Sequence, residues 1–276
     1  MEYKNKANRN HPATVIFLVD VSGSMDARMA DGKRRIEIAK DGILAAYTAM
    51  ISKAMRQGEI SPRYRVAMIG YTNQPYDIYY DYGSIITIDK LQDEGVPDIT
   101  PQYKTNMAEA LKYAIHLIKK DIDAWSPIWR DKCPPPMVIN LTDCELNEEL
   151  EDPAPYAEEL KRIAVPDGNV LLENIFITNY IKLPTADPKD WAGYKFTDTT
   201  GDPYGDKILA MSSPIPREYT VTLSEQAGVN ISAGNAMMFP GINREFIKAG
   251  FVMSIGTEPR IGGDGLREKF HEENPD

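Results

Sequence analysis

The chain has 276 residues, 42% of them apolar and 26% charged, a balance that suits one large folded domain or two small ones and excludes disorder, coiled coil and collagen. Lys and Arg number 31 against 41 Asp and Glu, a formal net charge of −10, which opposes binding to nucleic acid or anionic lipid because phosphate attracts a positive surface. No stretch approaches the roughly 20 apolar residues of a membrane helix, and the polar, basic start (Lys4, Lys6, Arg9) precedes an apolar run too short for a signal-peptide core; the expectation is a cytoplasmic protein with no membrane contact.

Strand and helix signals alternate along the chain. Residues 1–12 read as a flexible arm. Ala13 to Val19 is a continuous apolar run rich in β-branched residues, the pattern of a central strand buried on both faces. Ile36, Ala39, Ile43, Tyr47, Met50 and Ala54 recur at three- and four-residue steps, an amphipathic helix ended by Gly58. Arg65 to Tyr71 is a second strand, and Tyr76 to Ile88 holds two extended halves around Asp81-Tyr82-Gly83 that suit a hairpin. After a loop over 89–104, Met107, Leu111, Ala114, Ile115 and Ile118 mark a second helix, opened by Thr105-Asn106.

Met137 to Leu141 is a short buried strand, Tyr156 to Val165 a helix, and Val170 to Thr178 a strand. The order predicts an α/β fold, a doubly wound and mostly parallel central sheet with helices on both faces. Leu183 to Gly205 lacks a hydrophobic period and reads as a loop insertion. A short helix over 208–212, an ambiguous segment with Tyr219, Val221 and Leu223, a helix near 242–249 and a flexible tail over 257–276 complete the chain, with 13–256 as a single domain. Cys133 and Cys144 are separated by an extended segment, at about 3.3 Å per residue far beyond bridging range, so both thiols should be free.

Three pieces carry candidate chemistry. Asp20-Val21-Ser22-Gly23-Ser24 follows the first strand, Lys104-Thr105-Asn106 opens the second helix, and Leu141-Thr142-Asp143 ends the Met137 strand. In a doubly wound sheet, loops leaving the carboxyl ends on either side of the switch point face one crevice, which would bring Asp20 and Asp143 together. Two carboxylates with the hydroxyls of Ser22, Ser24 and Thr105 form an all-oxygen set suited to a hard divalent ion such as Mg²⁺ rather than Zn²⁺. Asp-x-Ser-x-Ser alone would serve equally as turn chemistry and a helix cap; the Thr and the second Asp at matching strand and helix ends make it specific.

Those five residues resemble the metal-ion-dependent adhesion site of the von Willebrand factor A family: Asp-x-Ser-x-Ser, then a Thr, then an Asp. The resemblance covers about residues 13–180, including Thr105-Asn106-Met107-Ala108-Glu109-Ala110-Leu111, and departs at Cys144, where Gly commonly follows the Asp. The later stretch (Met211 to Pro216, Asn235-Ala236, Phe251 to Thr257) looks like the tail of a cytoplasmic bacterial branch that includes the TerY-type proteins.

The resemblance implies a non-enzymatic, metal-dependent protein-interaction module, an adaptor in a bacterial stress-response or signalling complex. Asp20, Ser22, Ser24, Thr105 and Asp143 would hold Mg²⁺, with Mn²⁺ as an alternative, leaving a coordination position for an Asp or Glu carboxylate of a protein partner. A kinase or phosphatase encoded nearby is the kind of partner implied.

Two rivals remain open: a metal-dependent phosphohydrolase using Asp20, against which stands Ser22 where a second acid would be needed, and a structural subunit with a vestigial site. His11, His116 and His271 suit surface or boundary positions, and no Gly-x-Ser-x-Gly elbow exists for a Ser–His–Asp triad. The acidic run Asp143, Glu145, Glu148, Glu149, Glu151, Asp152, Glu158, Glu159 reads as a solvated lead-in to a helix, or as a negative rim to the site that would demand a basic collar on a partner. Tyr71, Tyr76, Tyr79, Tyr80 and Tyr82 read as packing residues, and Cys144 as an inert thiol with a raised pKa.

Overall fold

The computed structural model describes residues 3–79, 85–91, 96–147, 149–181, 183, 188–242 and 244–255. In chain order these form β1 (Ala13–Asp20), α1 (Arg35–Ala54), β2 (Met55–Arg56), β3 (Glu59–Ile60), β4 (Tyr64–Tyr71), β5 (Pro75–Asp77), β6 (Ile86–Thr87), α2 (Ile88–Leu91), α3 (Met107–Ala124), α4 (Pro127–Arg130), β7 (Met137–Thr142), α5 (Ala154–Arg162), β8 (Ala164–Val165), β9 (Gly168–Asn169), β10 (Leu171–Phe176), α6 (Pro203–Met211), α7 (Arg217–Thr222), β11 (Met238–Pro240) and α8 (Arg244–Ile255).

The main sheet runs β11-β10-β7-β1-β4-β5, with β6 also on β4. Its central pairs are all parallel, and only β5 and β6 run antiparallel. This is the doubly wound, mostly parallel sheet that the alternating signals predict. The apolar run of β1 lies at its centre because a strand with neighbours on both edges and helices on both faces exposes nothing; Val15 to Asp20 are all buried. Phe17 faces Tyr47 of α1 (ring centroids 5.6 Å apart) and Phe251 of α8 (6.0 Å). One residue past Ile139, the register partner of Phe17, Asn140 points to the opposite face, its amide 3.8 Å from Met107 Sδ of α3. Successive side chains on a strand alternate faces, so α1 and α8 cover one side and α3 the other.

Several expectations are revised. The two extended halves within 76–88 do not pair with each other: β5 lies on Ile69–Tyr71 and β6 on Arg65–Val66, in succession along one edge of β4. Residues 80–84, with Tyr80, Tyr82 and the expected turn, lie outside the described residues. α1 ends at Ala54, and Gly58, with φ 86°, serves the tight turn between β2 and β3. The ambiguous segment is the helix α7, and β11 is a strand that periodicity did not reveal.

The expected N-terminal arm lies against the domain, Tyr3, Lys4 and Asn5 donating backbone N–H groups to Asp167 (2.8–3.0 Å) and the Ala7 carbonyl accepting from Arg63 (2.6 Å). From the 183–205 stretch Trp191 inserts fully into the core, ringed by Tyr194, Phe239 and Phe246 at 5.0–5.7 Å. The tail over 257–276, His271 included, lies outside the described residues. Both cysteines are free and buried, as expected. Among the described residues no helix is long and apolar enough to cross a membrane.

One side chain is at odds with this core. Glu173, in mid-β10, is wholly buried with neither carboxylate oxygen in a hydrogen bond.

Candidate metal centre

The chain leaves β1 for α1 and β4 on one side and returns through α3 to β7 on the other, so the reversal of strand order falls between β1 and β7. Loops at this switch point open away from each other and leave a crevice. Asp20 ends β1 there and is fully buried. Its Oδ1 accepts the Ser22 N–H (2.9 Å), which turns the chain, and its Oδ2 accepts the Thr142 hydroxyl (2.6 Å) at the end of β7. Ser22 and Ser24, on the short helical turn over Gly23–Asp26, place their hydroxyl oxygens 3.0 Å apart. The Ser24 hydroxyl in turn favours the ionised form of Asp143. Asp20, Ser22, Ser24 and Asp143 are thus linked through side-chain contacts, the first three as their spacing predicts and Asp143 as the switch-point placement of the two strands predicts.

Thr105 reaches the same place through its backbone. Gly23 donates to the Tyr103 carbonyl (3.1 Å), Gln102 to Val21 (2.8 Å), and Asn106 to Thr72 (2.8 Å), so the loop before α3 lies between the Ser22 turn and the end of β4. Thr105 is buried, its N–H held by Asn147 Oδ1 (3.0 Å). Asn106 caps α3 by accepting from Glu109 N–H (3.3 Å).

Sequence reasoning missed Arg35, the first residue of α1. It is 4% exposed, and its Nη1 donates to Asp143 Oδ2 (2.6 Å), Glu145 Oε1 (2.6 Å) and the Ser24 carbonyl (3.3 Å). It lies 108 residues from Asp143 in the chain, and an Arg at a helix start carries no motif that would single it out. Thr142 was passed over as a strand residue, yet it also fixes the backbone beyond Asp143 by accepting from Cys144 N–H (2.7 Å). Cys144 itself sits at φ 54°, the left-handed region where a side chain is strained and Gly is at ease.

The electrostatics follow from burial. Desolvation, with Asp143 beside it, raises the Asp20 carboxyl to about 7, against the lowering effect of its bonds to Ser22 and Thr142. Desolvation also raises Asp143, outweighing the Glu145 N–H and Arg35. Burial, reinforced by the two acids, pushes the Cys144 thiol well up, the direction the sequence reading expects. A hard divalent ion suits this donor set: every donor is an oxygen, four of the five residues are linked through side-chain contacts while backbone bonds bring Thr105 beside them, and burial beside Asp143 disfavours the charged form of Asp20.

The acidic run is extensively compensated. Arg35 pairs with Glu145, Lys112 with Glu151, Lys207 with Asp152, Lys161 with Glu158 and Lys119 with Glu159 at 2.6–2.8 Å, and Lys104 pairs with Glu149. Glu148 lies outside the described residues. His11 is half-buried and His116 exposed.

Sheet and site together define an α/β protein with an oxygen-rich acid pair at its switch point. Residues 15–145, which span β1 to the residues just past Asp143, match the family model of the von Willebrand factor type A domain. No curated protein matches the chain. Among solved structures, the chain resembles the pilus adhesin SpaC from Lactobacillus rhamnosus GG at 11% identity and a TM-score of 0.52, with 91% of this chain and 30% of that one covered.

Two further matches have lower TM-scores. The ArnB paralog VWA2 from Sulfolobus acidocaldarius is 16% identical over 62% of this chain and 36% of that one, with a TM-score of 0.37. The proximal thread matrix protein 1 from the mussel byssus, with a zinc-occupied MIDAS motif, is 14% identical over 62% and 37%, with a TM-score of 0.39. The chain spans between 20% and 39% of the length of other solved structures it matches.

Proposed function

We propose that this chain is a divalent-cation-dependent protein-interaction module in which Asp20, Ser22, Ser24, Thr105 and Asp143 hold Mg²⁺, or Mn²⁺ in its place, and a partner's Asp or Glu completes the ion's coordination. The observation that carries this reading is the hydrogen-bonded run of oxygens from Thr142 through Asp20 and Ser22 to Ser24, with Asp143 beside it. Hydroxyl donors leave most of an ion's charge uncancelled, and an ion in that state attracts an oxygen anion strongly at contact.

This chain's residues divide the work. Thr142 and the Ser22 N–H orient Asp20, Ser24 supports Asp143, and the backbone bonds of 102–106 bring Thr105 to the crevice. The role is binding and not catalysis: Ser22 stands where a phosphohydrolase built on Asp20 would need a second acid. The match over 15–145 supports the same reading. The module is an adaptor in a bacterial cytoplasmic stress-response or signalling complex of the TerY-like kind, its partner a kinase or phosphatase encoded nearby.

Calorimetric titration with Mg²⁺ and Mn²⁺ tests the site, and binding should be lost in Asp20→Ala. Pull-down of the neighbouring genes' products with and without EDTA tests the partner; a complex that forms equally well in chelator excludes the mechanism.

A further inference from the structure

The guanidinium of Arg35 is held in an unusual way. One nitrogen, Nη1, is shared among oxygens of Asp143, Glu145 and Ser24, while the buried Nε has no hydrogen-bond partner. A buried Arg normally stays only if its donors are matched, so this side chain is retained for where it puts its charge. Its anchorage is firm, because its own backbone N–H donates to Ala27 (2.9 Å), just past the Ser22–Ser24 turn. Its two carboxylate partners differ. The Asp143 side chain is fully buried, whereas that of Glu145 is 44% exposed and belongs to the loop beyond the site.

We propose that Arg35 is a resident counter-cation: it neutralises Asp143 while no divalent ion is bound, so that the fold does not need the ion, and by competing for Asp143 it sets how tightly the ion is held. The inference rests on the divalent reading of the site. Two buried carboxylates without a cation repel each other, and Arg35 supplies the missing charge from within the chain. The same charge repels an incoming divalent ion and occupies an Asp143 oxygen, so affinity is lower than the donors alone would give. Glu145 is the alternative seat for the guanidinium, reached by release of one hydrogen bond while the other is kept.

The test compares the wild type, Arg35→Gln, Glu145→Gln and the double variant by Mn²⁺ calorimetry, and by thermal melts in EDTA and in millimolar Mg²⁺. Arg35→Gln should bind Mn²⁺ about tenfold tighter or more, as expected for removal of a like charge at close range. It should melt below the wild type in EDTA and regain the loss in Mg²⁺. Glu145→Gln, which leaves Asp143 as the only carboxylate among the guanidinium's three partners, should bind more weakly, and that weakening should vanish in the Arg35→Gln background.

Unchanged or weaker binding by Arg35→Gln, or a melting deficit that Mg²⁺ does not repair, overturns the role of Arg35 and leaves the divalent site standing. Absence of binding by both wild type and Arg35→Gln overturns both. Should Arg35→Gln fail to fold in either buffer, Glu145→Gln decides, and unchanged or tighter binding by it overturns the proposal.

Discussion

Replacing Glu173 with Met should stabilise the protein, and by an amount that depends on pH. Glu173 lies beside Ile139 in the sheet and presses on α8, where a Cβ added to Gly250 would come within 2.6 Å of its Oε1. Desolvation alone raises its carboxyl well above the ordinary 4.5. The unfolded chain releases this proton in the ordinary carboxylate range while the folded one holds it to higher pH, so the group costs the fold increasing stability as pH rises above 4.5. The sign follows: the unfolded state binds fewer protons above 4.5, so stability from this group is complete at low pH and is lost as pH rises.

Met is unbranched, of similar length and apolar. Glu173→Met should therefore raise stability, and raise it more near pH 7 than near pH 4. Near pH 4 the gain should shrink to the roughly 1–3 kcal/mol of burying two unpaired oxygens. Urea melts of both proteins across this range isolate the effect, since distant titrating groups cancel in the difference. A difference that does not change with pH, or a wild type more stable at pH 7, would refute the reasoning.

Other consequences can be checked separately. Because Asp20 is raised to about 7, protons compete with the divalent ion below that pH, and apparent Mg²⁺ affinity should fall by up to about tenfold per unit of acidification; a flat profile between about pH 5 and 7 in calorimetry excludes this. Ser22→Ala with Ser24→Ala should keep its circular dichroism spectrum and most of its Tm, since both lie on the rim turn and not in the packed core. Asn140→Leu should cost about 2–4 kcal/mol in a denaturant melt, because it strands the Tyr71 hydroxyl and Asn174, each 2.9 Å from the Asn140 amide. Cys133 and Cys144, both buried, with thiols raised by desolvation, should resist alkylation near pH 8 until urea unfolds the chain.

What was legible in the sequence was what short-range pattern determines. The β1 run, the apolar spacing of α1 and α3 and the strand before Asp143 are each local, and each places a loop at the carboxyl edge of the sheet. Asp20, Ser22 and Ser24 lie within one turn, so their convergence follows from spacing alone. The misses arise where tertiary context overrides local preference. Thr220, Val221 and Thr222 are β-branched, which leaves the segment ambiguous in sequence, yet Pro216 opens a helix there and Tyr219, Thr222 and Leu223 bury one side of it. β11 has three residues and ends in Pro240, a sheet-edge position where the missing N–H costs little and no period can be counted. β5 and β6 differ from the expected hairpin because the bare edge of β4 offers both of them backbone partners.

The charge of the site shows the same limit from the other direction. Residue order displays eight acids from Asp143 to Glu159 without an intervening Lys or Arg until Lys161, and this suggests a negative rim that repels acidic partners. The fold brings Arg35, Lys104, Lys112, Lys119, Lys161 and Lys207 onto them from four other segments and from α5 itself. Such surface pairs add little stability, but a paired acid projects little field beyond a Debye length, about 8–10 Å at ordinary ionic strength. A partner approaching the crevice therefore meets chiefly the balance struck inside it, where Asp20 and Asp143 stand against one buried guanidinium. The net charge of −10 opposes contact with phosphate backbones; inside the crevice the balance is set by Arg35 beside Asp143, which no composition argument could place.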